Sequence, residues 1–382
     1  MMEIDYWLWL SLKRGYDSVK ITKLLEVFSS PEEIYNTPKE TLKKMGIFTN
    51  KDIKILSDKS LKYVETVKEQ CRKYGIRILT YDSPNYPEKL KHIPEPPYVL
   101  YVRSKEKINL NDKLCIGMVG TREATEYGRN AAGEIASGLS KAGVVVVSGM
   151  ARGIDGASHA GALTAGGLTV AVLGCGADVV YPPENKVLMN EIIENGMVIT
   201  EYPPGSPPAK QHFPIRNRII SGLSDGVVVV EAPETSGSLI TADYALKQGR
   251  EVFAVPGDIH REKSKGTNNL IRECAVLVTS AIDVLKEYEL LYINTLKQCI
   301  NNEKEEYKEE KESIKLPDLD KYKDLGDVAL EIIHALSLKP ISLENLHIKT
   351  GLTPDELSAE LMMLEIDGYV KALPGKNFVL NV

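Results

Sequence analysis

A series of short apolar segments, separated by stretches long enough for helices, constrains the fold of this chain more than any other feature. The segments are Leu114–Val119, Val144–Ser148, Thr169–Leu173, Met197–Thr200, Val227–Val230, Glu251–Val255 and Ala275–Val278. They are mostly continuously apolar, which is typical of strands buried on both faces of a parallel sheet. Intervening segments such as Glu126–Lys141 and Leu239–Gln248 can form crossover helices. We therefore predict an α/β fold with an extended Rossmann-like, doubly wound sheet.

The residues in front of this region favour short helices and an edge extension. Residues 1–65 are predicted to form a helical accessory domain, with Ser30-Pro31-Glu32-Glu33 as one helix start. Met45-Gly46-Ile47 resembles half of a helix-hairpin-helix, which binds DNA phosphate, but the second glycine of that motif is absent. A sterile-alpha-motif (SAM) or helix-hairpin-helix-like domain that contacts DNA and a plain accessory domain both stay open. Two strands, Ile76–Tyr81 and Tyr98–Val102, open a Rossmann-like domain of residues 66–288.

The residues behind it predict a linker and a second folded unit. Residues 289–325 read as a charged linker, and residues 326–382 as a winged helix. Its elements are the helices Val328–Leu336, Ser342–Thr350 and Thr353–Ile366 and two strands within Tyr369–Leu380. The third helix carries acids and no basic residue, which would repel a phosphate backbone. Binding to protein is therefore favoured over binding to DNA, and simple packing on the core remains the alternative.

Composition excludes a protein that coats nucleic acid through overall charge, because the net charge of the 382 residues is −6. An anionic partner must instead be held by a local cluster. The five cysteines are scattered without a C-x-x-C pair, which indicates reduced thiols in a cytoplasmic protein. The N-terminus lacks the basic region of a signal peptide, and no apolar run approaches the length of a membrane span. We expect a cytoplasmic protein with no membrane contact.

Loops that follow the predicted strands offer anion sites, since ligands of such sheets bind beyond the carboxyl ends of the strands. Gly120-Thr121-Arg122 follows the first strand and precedes a helix N-terminus. Gly149 and Arg152 belong to a second glycine-containing loop, which could hold phosphate or serve only as a tight turn. Ser236-Gly237-Ser238 could donate to a ligand or cap the next helix.

The segment from Lys210 to Ala232 is interpreted as a polar loop in front of the strand Val227–Val230. The loop contributes Lys210, Phe213, Arg216, Asn217 and Arg218, so that cations and an aromatic ring would share one edge with Arg122 and Arg152. Arginine beside an aromatic ring suits a ligand with phosphates and stacked bases, and therefore single-stranded rather than duplex nucleic acid. A solvated loop anchored by Phe213 is the other interpretation.

The sequence contains no recognisable catalytic or metal-binding motif. His159, His212 and His260 are far apart and lack a paired nucleophile, and no spacing of metal ligands occurs. No Walker lysine loop or dinucleotide fingerprint is present. We expect no catalytic residue, no metal and no cofactor.

Five sequence blocks carry a resemblance to a known family. GTREATEYG, SGMARGIDGASHAGAL, KQHFPIRNRIISGLS, ETSGSLITADYA and VPGDI with GTNNLI resemble the DNA-processing protein A (DprA/Smf) family in order and spacing. The match covers about residues 113–288, and both flanking domains also occur in the family. This sequence has Thr121 where the family usually has serine.

The resemblance implies a homodimer that binds single-stranded DNA without sequence preference and loads the RecA recombinase onto incoming DNA in natural transformation. It implies no catalysis. By motif, Arg122 matches the arginine of the first strand-end loop, and Lys210 and Phe213 match a K-x-x-F pair. Arg216, Asn217 and Arg218 would complete the pocket.

Two alternatives remain at this point. One is a Rossmann-like nucleotide hydrolase of the phosphoribohydrolase type. The segment SGSLITADYA loosely resembles the catalytic helix of such enzymes, but it has Asp243 in place of the expected glutamate. The other is an interaction protein whose arginines are incidental. Phe213 between Lys210 and Arg216 favours DNA binding over both.

Overall fold

The computed structural model describes residues 3–13, 15–273, 275–289, 325–336, 341–373 and 377–380. The chain forms two compact units, Met1–Asn301 and Asn302–Val382. Residues 290–324, which include most of the predicted charged linker, lie outside the described residues, as does Cys274.

The first unit begins with six helices. They are α1 (Glu3–Ser11), α2 (Ser18–Leu25), α3 (Pro31–Asn36), α4 (Lys39–Lys44), α5 (Asn50–Ser57) and α6 (Lys62–Tyr74). Helix α3 starts as predicted, because the Ser30 hydroxyl accepts a hydrogen bond of 3.2 Å from the Glu33 amide. Gly46, at φ +69°, lies in the turn between α4 and α5.

These helices share a hydrophobic core with the sheet. Trp7 of α1 stacks on Tyr98 with ring centroids 5.5 Å apart, and the same cluster reaches Tyr101 and Val198 of the sheet. The predicted boundary between residues 65 and 66 falls inside α6. The α1 aromatics are buried against residues of the sheet, so the helices and the sheet share one core across this predicted boundary.

A nine-stranded sheet forms the centre of the first unit. Its strands are β1 (Arg77–Thr80), β2 (Val99–Arg103), β3 (Cys115–Val119), β4 (Val145–Ser148), β5 (Thr169–Val172), β6 (Met197–Thr200), β7 (Gly226–Val229), β8 (Glu251–Ala254) and β9 (Val276–Leu277). Their order is β1-β2-β6-β5-β4-β3-β7-β8-β9. The strands β3 to β9 pair in parallel, and β1 and β2 add an antiparallel extension at the β6 edge. The predicted Rossmann-like sheet and its edge extension are confirmed.

Helices cover both faces of this sheet. They are α7 (Glu88–Lys91), α8 (Glu126–Lys141), α9 (Ile154–Thr164), α10 (Lys186–Asn195), α11 (His212–Leu223), α12 (Gly237–Lys247), α13 (Lys265–Arg272) and α14 (Ala281–Tyr288). Ile116 and Met118 of β3 pack in one core with α8 and α14, whereas Cys115 and Val119 pack in another with α11 and α12. Alternate residues of one strand thus enter opposite cores, which explains the continuously apolar segments.

The order of the strands reverses direction at β3. From β3 the sheet extends through β4, β5 and β6 on one side and through β7, β8 and β9 on the other. The loops after β3 and β7 consequently diverge towards opposite faces of the sheet. A crevice at such a switch point is where ligands of open α/β sheets bind.

The second unit has its own core and the predicted winged-helix elements. These are α15 (Asp327–Ala335), α16 (Leu343–Thr350), α17 (Pro354–Ile366) and the strands β10 (Ile341–Ser342), β11 (Val370–Leu373) and β12 (Asn377–Leu380). The strands pair antiparallel in the order β10-β12-β11. Ile332, Leu346, Leu357 and Leu361 are among the residues of its core. Within the described parts of both units, no helix could cross a membrane.

Helix α17 has an acidic and partly apolar outer surface. It carries Asp355, Glu356, Glu360 and Glu365 without a basic residue, and Met362 and Ile366 are 65% and 70% exposed. Preference of this unit for protein over DNA stays a prediction.

We expect the isolated winged-helix unit, residues 320–382, to show no salt-dependent binding to DNA, because neutralising phosphates requires cations that α17 lacks. Gel-shift titrations of this unit against single strands and duplex between 50 and 200 mM salt would measure it, with the complete chain as control. Affinity that falls steeply with salt would contradict the expectation.

Candidate nucleic-acid interface

The loop after β3 is fixed against the end of β7 by Glu231. The Thr121 amide donates to the Glu231 carbonyl oxygen at 2.7 Å. The Glu231 carboxylate, which is buried, accepts from the Thr125 amide at 2.8 Å and the Thr125 hydroxyl at 2.7 Å. Both oxygens of the buried Glu231 carboxylate therefore have hydrogen-bond donors in the loop after β3, and these hydrogen bonds hold the loop in place.

Two glycines allow the loops after β3 and β4 to touch. A Cβ atom on Gly120 would lie 2.4 Å from Ile154 Cγ1. Gly153 has φ +73°, and a Cβ there would lie 2.3 Å from the Thr121 carbonyl oxygen. Only glycine avoids both the positive φ strain and the collision. These glycines bring Thr121 and Arg122 beside the second loop.

The segment interpreted as a loop after Lys210 is a helix. Helix α11 spans His212–Leu223, so the prediction of an irregular loop was wrong. Pro214 lies in the first turn, where proline is tolerated because the amide there has no partner inside the helix. Phe213, Asn217 and Ile220 recur at helical spacing and line the same cavity.

A cleft of about 580 Å³ lies between α11 and the loops after β3 and β7. Its lining includes Gly120, Thr121, Arg122, Asp155, Tyr181, Lys210, Phe213, Arg216, Asn217, Ser236 and Ser238. The Arg122 guanidinium carbon lies 5.2 Å from the centroid of the Phe213 ring, within the range of a cation–π contact. Arg122 and Lys210 are exposed, so their charges face solvent at the mouth of the cleft.

Arg216 lies at the bottom of the cleft rather than at its mouth. It is 4% exposed, and one nitrogen, Nη1, donates to the Gly149 carbonyl at 2.7 Å and to the Val172 carbonyl. Burial lowers the pKa of Arg216. A Cβ on Gly149 would lie 2.6 Å from Arg216 Nη2, so this glycine makes room for the guanidinium. The sequence predicts an exposed Arg216 at the edge of the sheet. In the structure Arg216 is buried, and its hydrogen bonds connect the ends of β4 and β5.

Arg218 points away from the cleft. It is 2% exposed and forms two hydrogen bonds of 2.7 Å with the Glu201 carboxylate, and Nη2 also donates to the Ser18 hydroxyl at 3.2 Å. Burial alone would lower the pKa of Arg218, but the Glu201 carboxylate offsets this and raises it. The position of Arg218 does not support the prediction that it completes the pocket. Arg218 lies two residues after Arg216 in α11, and residues two apart lie on different faces of a helix.

Arg152 and Gly149 lie beside the cleft without lining it. Arg152 is exposed and forms an ion pair with Glu184. Both residues line a smaller neighbouring cavity. Of the ten predicted residues, the structure thus brings Gly120, Thr121, Arg122, Lys210, Phe213 and Asn217 together at one accessible surface, with Arg216 beneath them.

Asp155 is a buried acid close to Arg216 and Arg122. Its carboxylate accepts from the Ala151 amide at 3.3 Å. Burial raises the pKa of Asp155, and the positive charge of Arg216 opposes this shift. The carboxylate holds the loop after β4, and the neighbouring guanidinium group offsets part of the cost of burying it.

Tyr181, Ser236 and Ser238 also line the cleft, although they are not among the ten residues predicted from the sequence. Ser236 caps α12, since its hydroxyl accepts from the Ser238 amide at 3.3 Å and lies 2.7 Å from the Ser238 hydroxyl. These serines can therefore both cap the helix and face a ligand in the cleft. Tyr181 follows the strand-end loop Gly174-Cys175-Gly176, and this position in the sequence could have identified it as a candidate site residue.

Of the residues that the structure describes, no histidine lines the cleft. His159 is fully buried, contacts the Thr169 hydroxyl at 2.7 Å, and burial lowers its pKa to about 3. His212 stacks on Tyr202 with centroids 4.0 Å apart. Among the residues with described positions, no group of three potential metal ligands occurs.

We expect Arg218→Met to lower the free energy of unfolding by about 3–5 kcal/mol, because it leaves the Glu201 carboxylate without its partner. Thermal and denaturant unfolding would measure this, with Lys210→Met as an exposed control that changes stability by about 0.5 kcal/mol or less. Combining Arg218→Met with Glu201→Leu should recover most of the loss. Wild-type stability of the single variant would contradict the structural role.

Two family models match the chain. The model described as DNA recombination-mediator protein A matches residues 77–289, and the DprA winged helix domain matches residues 320–376. The Synechocystis protein named Smf is 33% identical over 391 residues, which cover 98% of each chain.

Two solved structures resemble the chain in sequence and fold. DNA processing protein A of Streptococcus pneumoniae is 36% identical, with a TM-score of 0.64, over 74% of this chain and 97% of that one. The Helicobacter pylori protein, described as having a unique single-stranded DNA binding mode, is 30% identical with a TM-score of 0.51. That match covers 56% of this chain and 97% of the other.

Proposed function

Because the chain belongs to the DNA recombination-mediator protein A family, we propose that it binds single-stranded DNA in the cleft between α11 and the β3 and β7 loops and acts as a recombination mediator. The observation that carries this proposal is the contact between Arg122 and the Phe213 ring, at 5.2 Å, with Lys210 at the same opening. A cation next to an aromatic face can hold a phosphate and stack its base.

The charge distribution supports local binding. The chain has a net charge of −6, so attraction to DNA must come from the cleft rather than from the whole surface. Arg122 and Lys210 supply exposed cations, and the Thr121 hydroxyl can donate to a phosphate oxygen. Stacking on Phe213 distinguishes no base from another, because every base presents a π-face. Binding without sequence preference follows.

Family membership extends the proposal to partners. We infer a cytoplasmic homodimer that loads RecA onto incoming DNA during natural transformation, and no catalysis or cofactor is part of this function. Support comes from the family match and from the relatives described as DNA processing proteins.

The position of Asp243 gives a second argument against the nucleotide-hydrolase alternative. Asp243 is exposed and forms an ion pair of 2.6 Å with Lys247. It is not among the residues that line the cleft. Incubation with nucleotides would check this, since release of free base would revive the alternative.

We expect Arg122→Ala and Lys210→Glu to abolish binding to single strands without unfolding the protein, because both side chains are exposed cations. Phe213→Ala should cost about 1–3 kcal/mol of binding free energy if the ring stacks one base. Gel-shift titrations would measure the affinities, and Lys247→Ala, on an exposed surface outside the cleft, is the matched control. Undiminished binding by the first two variants would remove the site assignment.

We expect the protein to prefer a single strand over a duplex of equal length. A paired base cannot reach Phe213 without leaving its stack, whereas an unpaired base can. In salt titrations with the single strand, the plot of log affinity against log salt concentration should be less steep by about 0.7 for the neutral variant Lys210→Met, as for one lost phosphate contact. Equal affinity for both forms would indicate a purely electrostatic surface instead.

A further inference from the structure

Helix α17 of the second unit has apolar residues on two opposite sides. One side packs in the core of the unit through Leu357, Leu361 and Leu364, which are buried. Residues about half a helical turn away from these point outwards. Four residues on the outward side are exposed and apolar, and we call them the outer stripe: Ala359, Met362, Met363 and Ile366. Packing of the unit requires only the inner side, so the fold does not account for the outer stripe.

The large side chains of the outer stripe are exposed to an extent that is unusual for apolar residues. Met362, Met363 and Ile366 are 65%, 56% and 70% exposed. Single apolar residues scattered over a surface are normal, but these three are neighbours on one side of one helix. Adjacent exposed apolar side chains with a polar rim are typical of a surface that another molecule covers.

Acids accompany the outer stripe along the helix. Residues 353–368 contain neither lysine nor arginine but five acids, Asp355, Glu356, Glu360, Glu365 and Asp367. Glu365 is held in position, since it accepts a hydrogen bond of 3.1 Å from the Ala372 amide. Glu360 and Asp367 form no ion pair within the described part of the chain. Their negative charge is therefore available to a cationic partner.

The spacing of the outer stripe suits a second helix. Ala359, Met362 and Ile366 are separated by three and then four residues, as in the seam between packed helices, and Glu365 lies beside that seam. Methionine side chains adapt their shape to a partner more readily than branched ones do. A helix laid against α17 would thus cover the apolar side chains and reach the flanking carboxylates.

Charge decides between the molecules that could cover the outer stripe. Duplex DNA would bring phosphates against these acids, and a second copy of α17 would bring five more carboxylates. Like charges brought together at an interface repel, so both occupants are disfavoured. A helix that carries lysine or arginine beside an apolar face is attracted instead.

We propose that the outer stripe of α17 is a docking surface for a basic amphipathic helix of another protein. Apolar side chains of that helix cover Met362, Met363 and Ile366, and its lysine or arginine side chains pair with Glu360, Glu365 and Asp367. The inference concerns the second unit alone and does not depend on the proposed binding of DNA.

A peptide of leucine and lysine, about four helical turns long with its leucines on one face, is a suitable probe. Fluorescence anisotropy of the labelled peptide with the complete chain should show binding, and a scrambled peptide without an apolar face should bind much more weakly. The double variant Met362→Ser/Ile366→Ser should lose at least about tenfold in affinity, because two apolar contacts are removed. Leu246→Ser, a leucine 61% exposed on α12, is the matched control and should bind as wild type.

A charge variant separates the acids from the apolar stripe. Glu360→Gln with Asp367→Asn should weaken binding of the lysine peptide roughly 2- to 30-fold, which is the effect of two exposed ion pairs. The difference from wild type should shrink as salt is raised, whereas the effect of Met362→Ser/Ile366→Ser should persist, since salt screens only the charges. Thermal unfolding of each variant checks that it is folded.

Methyl resonances locate the contact directly. In the complete chain labelled with ¹³C-methyl methionine, the peptide should shift the signals of Met362 and Met363 and leave that of Met118, which is buried in β3, unchanged. Absence of binding, equal binding of the scrambled peptide, or unchanged affinity of Met362→Ser/Ile366→Ser would overturn the proposal. Self-association or duplex binding that Met362→Ser/Ile366→Ser abolishes would also overturn it, because a second copy or DNA would then be the occupant.

Discussion

The hydrogen bonds from Arg216 to the carbonyl oxygens of Gly149 and Val172 are the constraint on which the site depends. These carbonyls lie just after β4 and at the end of β5, where parallel strands leave acceptors without strand partners. A guanidinium with several donors in a fixed plane can satisfy two of them from one position. Helix α11 is thereby fixed to the sheet at the point where its first turn presents Phe213 to the cleft.

Helix α11 performs two tasks on two faces. One face holds Phe213 and Asn217 towards the cleft, and the other holds Arg218 against Glu201 and Ser18. Because Arg218 is buried with its counter-charge, it adds little to the potential at the cleft, whereas Arg122 and Lys210 project from the surface. If the cleft binds DNA as proposed, affinity for the anion and rigidity of the fold are therefore supplied by different cations of the chain.

Much of this architecture could be predicted from the sequence, and the failures have physical causes. Apolar segments such as Val144–Ser148 predict strands because burial on both faces removes any need for alternation. Gly120, Arg122 and Phe213 could be chosen because strand-end loops meet at one edge of the sheet. The burial of Arg216 and Arg218 could not be predicted, because it depends on Gly149, Val172 and Glu201, which are distant in sequence. Pro214 obscured the start of α11 in the sequence. The packing of Trp7 on Tyr98 could not be predicted either, because the two residues are distant in sequence.

The double use of α11 affects how natural variation in this segment should be interpreted. Selection for a stable fold would preserve Arg216 and Arg218 even in a descendant that had lost all affinity for DNA. Selection for the proposed DNA binding would act instead on Lys210 and Arg122, which are exposed. A pair of invariant arginines in a set of related chains would thus report on shared architecture, while drift at the two exposed cations would mark the branches in which the function had changed.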